Sequence, residues 1–100
     1  MKAKTLLKNE SKWTQYHNAL NKKGEIVNAD DKTAVKWDIY GALEKCYPFT
    51  AQDPQGKAYH TAVWKVKAVL EKRGLAPHII GFNDTATFEE VQKLLRDADV

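Results

Sequence analysis

Apolar positions along this chain fall into short runs separated by polar turns, and their spacing predicts the elements. Leu6 and Leu7 mark residues 3–8 as a short helical segment. Trp13, Tyr16, Ala19 and Leu20 follow at intervals nearer to helical than to alternating. Thr14 and Tyr16 favour a strand instead, so residues 14–20 stay open between a helix and the first arm of a hairpin. Gly24 suits the left-handed conformation that closes such a segment. Glu25-Ile26-Val27 then reads as a short strand.

The run DDKTAVKWDIYGALEKC, residues 30–46, predicts a helix capped by Asp30 and Asp31 and stopped by Pro48. At about 100° per residue, Val35, Ile39, Ala42, Leu43 and Cys46 share one stripe. Trp37, Tyr40 and Glu44 fall on the opposite side, and Gly41 beside them leaves room for a neighbouring backbone. Either this helix is central and covered on two sides, or Trp37 and Tyr40 form an exposed binding face.

Residues 58–73 predict a second long helix with the stripe Tyr59, Ala62, Val63, Val66, Val69 and Leu70, ended by Gly74. Trp64 lies off that stripe, one turn after His60. His78-Ile79-Ile80-Gly81-Phe82 reads as a strand between Pro77 and Asn83-Asp84. Thr87 and Glu90 form a capping box for the last helix, which turns Phe88, Val91, Leu94, Leu95 and Ala98 to the core. Together these elements predict one α+β domain over residues 1–100. Three main helices and a short N-terminal one pack on a small sheet containing residues 79–82 and 25–27.

Composition narrows the class. Of 100 residues 43% are hydrophobic and 29% charged, which suits a globular domain rather than a disordered chain. The net charge of +3 comes from 16 basic and 13 acidic side chains with interspersed signs. That permits nucleic-acid contact without implying it. Cys46 is the one cysteine, so no internal disulfide can form. No signal peptide is expected, because MKAKTLLKNES lacks a long enough apolar run, and nothing approaches the roughly 18 apolar residues needed to span a membrane. A cytoplasmic protein is expected, in the host cytoplasm if a phage encodes it.

Candidate chemistry is sparse. Cys46 with His60 or His78 would make a nucleophilic pair, but its place on the apolar stripe near a helix C-terminus disfavours a thiolate. His17, His60, His78 and Cys46 lack metal-ligand spacing. The carboxylates stand at helix starts and turns, and no glycine-rich phosphate loop exists. No catalytic residue, metal or cofactor is expected. Lys65, Lys67, Lys72 and Arg73 near Trp64 resemble a single-stranded nucleic-acid surface, yet they spread around the helix as a solvated face would.

Leu6-Leu7, Trp13, Lys23-Gly24-Glu25-Ile26-Val27, Trp37 followed by Gly41-Ala42-Leu43, and Phe82-Asn83-Asp84 before Phe88-Glu89-Glu90-Val91 occur in an order that resembles a family of small bacterial and phage proteins of unknown function. Its members tend to carry Trp-Cys before the Gly-Ala-Leu and Trp-Asn-Asp before the last helix. Here Asp38 stands at the cysteine position and Phe82 at the second tryptophan. The resemblance supplies no reaction, and it singles out Asn83-Asp84, which otherwise reads as a turn.

Three functions follow as expectations. The first is a non-enzymatic binding or accessory protein with a protein partner, contacting it through Trp37, Tyr40, His60 and Trp64. The second is a small enzyme or ligand-binding domain whose polar site joins His60, Asp38 and Asn83-Asp84. The third is weak single-stranded nucleic-acid binding through Trp64, Lys65 and Lys67.

Overall fold

In the computed structural model, which describes residues 1–100, the longest helix is Lys57–Lys72 (α3) and the most amphipathic is Phe88–Ala98 (α5). Before them come Ala3–Leu6 (α1), a 3-10 turn at Glu10–Lys12, strands Ala19–Asn21 (β1) and Ala34–Trp37 (β2), and helix Ile39–Cys46 (α2). Helix Ile79–Thr85 (α4) lies between α3 and α5. The two strands pair antiparallel, with Ala19 opposite Trp37, and α3 packs along α5. The architecture is α+β.

Residues 14–20, left open by their spacing, contain the start of a hairpin. β1 pairs with β2 on one side, and on the other Leu20 bridges Ile26. Residues 25–27 run beside β1 through the bonds Asn21 N to Glu25 O and Val27 N to Ala19 O, but only Ile26 makes a bridge, so the strand expected there reduces to one bridging residue outside the two-stranded sheet. Gly24 makes the turn at φ +80°.

The single helix expected over residues 30–46 is two elements. Residues 34–37 form β2, and the helix begins only at Ile39, capped by Asp38 rather than by Asp30 or Asp31. The two-sided apolar pattern has this origin. Trp37 follows the period of a strand, while Ile39, Ala42 and Leu43 follow that of a helix. Val35 is skipped where the register shifts between the Leu20–Lys36 and Asn21–Ala34 pairs, and this bulge position leaves it 42% exposed. The shorter α2 is nonetheless central, contacting α1, α3, α4 and β2. Gly41 has to be glycine there, because a Cβ would collide with the carbonyl oxygen of Asn18 on the chain leading into β1.

The strand expected at residues 78–82 is helix α4. β-branched Ile79 and Ile80 suggested extended chain, but Ile79, Phe82 and Asn83 recur at helical spacing and turn inward, leaving Ile80 in solvent. The helices expected over residues 58–73 and after Thr87 form as α3 and α5. The capping box is complete: Thr87 Oγ1 accepts from Glu90 N at 3.2 Å, and the Glu90 carboxylate accepts from Thr87 N at 2.9 Å. Phe88, Val91, Leu94, Leu95 and Ala98 are all buried. They join Leu7, Ile39, Leu43, Val66, Leu70 and Ile79 in one core. No helix is long and apolar enough to cross a membrane.

Candidate functional site

Asn83, 1% exposed, is the polar centre of the fold. Its side-chain oxygen accepts from the Trp13 indole at 2.9 Å and from the backbone N–H of Ile39 at 3.1 Å. Its amide nitrogen donates to the Thr14 carbonyl and to Asp84 Oδ1, both at 3.1 Å. Four bonds exhaust the capacity of an asparagine. Asp84 Oδ1 also accepts from Tyr16 N at 2.8 Å, holding Tyr16 at φ +73°, a conformation tyrosine rarely adopts. The Asn-Asp pair thus ties residues 13–16 and the start of α2 to α4. It sits within a helix, not in a turn.

Asp38, 5% exposed, completes the cap of α2 by accepting from Gly41 N at 2.6 Å. Burial pushes its carboxyl up to about 6, against the lowering effect of the Gly41 bond, and the nearby charges of Asp84 and Glu44 add to the rise. Asp38 and Asn83 both accept from backbone amides at the N-terminus of α2, Asp38 from Gly41 and Asn83 from Ile39. His60 does not join them through any hydrogen bond. It stands on α3 and packs edge-on against Tyr59, with ring centres 5.2 Å apart, and against Phe49 at 6.0 Å.

The four residues expected to make a contact surface divide by depth. Trp37 is 6% exposed, and its indole N–H donates to the Ala29 carbonyl at 2.9 Å. Tyr40 is half-buried on α2 and faces Lys67 and the start of α4 across a cleft of about 450 Å³. His60 is exposed near the start of α3. Trp64, one turn later, is 70% exposed and engages in no hydrogen bond or ring contact. Lys67, which shares the cleft with Tyr40, follows Trp64 by one further turn of α3.

A second cleft, about 460 Å³, opens between the loop before β2, α2, and the α2–α3 loop. Asn28, Asp30, Glu44, Phe49 and Tyr59 line it. Burial raises the Glu44 carboxyl above its ordinary value, and neighbouring Asp30 adds to the effect. The Tyr59 hydroxyl is raised as well, first by burial and then by the field of Glu44, Tyr40 and Asp38. Sequence spacing placed Asp30 at a helix start and Glu44 with Trp37 and Tyr40 opposite the main stripe, and passed over Phe49. The legible sign was Phe49 after Pro48 in a loop that later turns at Gly56. Gly56 has φ +66°, and any Cβ there would strike the Phe49 ring.

Cys46 is half-buried, and burial raises its thiol above the usual value, so a thiolate is disfavoured. No three or more His, Cys, Asp or Glu side chains are grouped to hold a metal ion. Among known proteins, one family matches residues 1–99, a family of unknown function (DUF6197). No curated protein and no solved structure matches the chain.

Proposed function

We propose that this chain, which belongs to the family of unknown function DUF6197, is a non-enzymatic binding domain that meets a protein partner through Trp64, His60 and Tyr40, whereas Trp37, buried at 6% exposure, takes no part in the contact. The observation that carries this reading is Trp64. It is 70% exposed in the middle of a 16-residue helix, where a small polar residue would serve the fold as well. Tryptophan is strongly enriched among residues that dominate interface energies. Half-buried Tyr40 and Lys67 and exposed His60 give the surroundings an amphipathic character suited to a contact rim. The polar groups at the start of α2 spend their hydrogen bonds on the fold, which favours binding over a site built on Asp38 and Asn83. A cytoplasmic setting, the host's for a phage-encoded chain, accords with the unpaired Cys46.

The test is amide and indole NMR of the ¹⁵N-labelled protein against fractionated cytosol, with Trp64→Ala alongside. The expected outcome is a fraction that shifts Trp64, His60 and Tyr40 together, with the shifts lost in Trp64→Ala. That variant keeps its stability to within about 0.5 kcal/mol, as an exposed site should. Shifts centred on Asp38 and Asn83, or the same response from Trp64→Ala, overturn the proposal. Single-stranded DNA at low salt serves as a further probe, since phosphate contacts are strongest there. Saturable binding through Lys65 and Lys67 would replace a protein partner with nucleic acid.

A further inference from the structure

The cleft of Asp30, Glu44, Phe49 and Tyr59 carries charge that the fold leaves unbalanced. The protein is basic, at +3, yet no lysine, arginine or histidine lines this hollow. The three ion pairs all lie elsewhere, two on Asp99 and one on Asp97. Glu44 receives only a long 3.4 Å bond from Asn18, and Asp30 receives no side-chain bond at all. Two carboxylates within each other's field, one half-buried and neither facing a cation, cost free energy that a bound cation would offset.

The walls are aromatic. Phe49 and Tyr59 have ring centres 5.9 Å apart with planes inclined at 45°, which makes a corner. Phe49 is 56% exposed but not loosely placed, because its ring lies over the bare backbone of Gly56 and edges against His60. The left-handed Gly56 that admits the ring also immediately precedes α3, which carries Tyr59. One backbone feature therefore seats both walls. Aromatic faces attract cations through their quadrupoles, most strongly where water is partly excluded. The volume of about 460 Å³ falls within the range of small-ligand sites and exceeds what a bare metal ion would fill.

We infer that this cleft binds an organic ammonium group, with Glu44 and Asp30 supplying the countercharge and Phe49 and Tyr59 the aromatic walls. The inference goes beyond the Trp64 contact surface and does not depend on it. Two sources share this chemistry: a free alkylamine and the lysine side chain of a protein.

The test uses the whole ¹⁵N-labelled protein, titrated with n-butylammonium chloride and, separately, with N-acetyl-lysine methylamide, each against sodium chloride of equal ionic strength. Saturable shifts should appear at Asp30, Glu44, Phe49 and Tyr59 with both ammonium probes and not with sodium. Tighter binding of the lysine derivative assigns a protein side chain as the source, and tighter binding of the simple amine assigns a free amine. Glu44→Gln and Phe49→Ala should each weaken binding by about five- to tenfold. Both positions lie outside the buried core, so the remaining spectrum should stay intact. Trp64→Ala should bind as the parent does, which separates failure here from failure of the Trp64 surface. Shifts equal to those in sodium chloride, or unchanged affinity in Glu44→Gln, overturn the inference.

Discussion

A carboxylate that caps a helix usually ionises more readily than a free one, and Asp38 does the opposite. Its bond to Gly41 N and the positive helix end favour the charge, but burial outweighs them and raises the carboxyl from 3.8 to about 6. The folded protein then holds a proton that the unfolded chain releases. The stability this contributes is complete below about pH 4 and is lost as pH rises through about 6, a change of about 3 kcal/mol. Asparagine caps a helix as well as aspartate does and cannot ionise. Asp38→Asn should therefore flatten the pH dependence between about 4 and 6, and at pH 7 it should exceed the parent in stability by about 1–2 kcal/mol. Urea unfolding at several pH values checks this. Asp31, Asp53, Glu90 and Asp99 are lowered instead, so their contributions fade as pH falls. The difference between variant and parent isolates Asp38 from them, and parallel pH curves would show the carboxyl to be unshifted.

Elements were legible where one period ran unbroken. α3 and α5 carry clean stripes and formed almost where their spacing placed them, and the capping box at Thr87 made both of its bonds. Thr87→Ala should cost about 1 kcal/mol in thermal or urea unfolding, with the loss confined to fraying of the first turn of α5 in hydrogen exchange. Residues 30–46 misled because two periods of opposite character abut at Asp38. A helix template fitted to both yields two apolar faces, when Trp37 belongs to a strand and only Tyr40 and Glu44 to the helix. Residues 78–82 misled because propensity and spacing disagreed, and the core decided for spacing: Ile79 packs inward while Asn83, one turn on, reaches Trp13 and Ile39. No local pattern could announce those bonds, since the partners of Asn83 lie 70 and 44 residues away in sequence. The open space beside Gly41 was legible from its position among large side chains. The identity of the backbone filling it, Asn18, was not.

Across the whole molecule, polar groups serve two ends. Those around α2 are consumed by the fold, with no buried side-chain nitrogen or oxygen left without a partner. Those along the outer side of α3 and the mouth of the Phe49 cleft face solvent and are free to meet a ligand. The three tryptophans express this division. Trp13 and Trp37 donate their indole protons to Asn83 and Ala29, whereas Trp64 donates to nothing. Sequence spacing set Trp37 and Trp64 apart from the core stripes alike. The strand geometry of β2 then took Trp37 inside, and helix α3 kept Trp64 out. Indole hydrogen exchange, followed by NMR on the three resolved side-chain signals, tests that division most directly. The account predicts that Trp13 and Trp37 exchange at least about a thousandfold more slowly than a free indole, since release requires substantial opening, while Trp64 exchanges at nearly the free rate. Comparable protection of Trp64, or rapid exchange of Trp37, would contradict it.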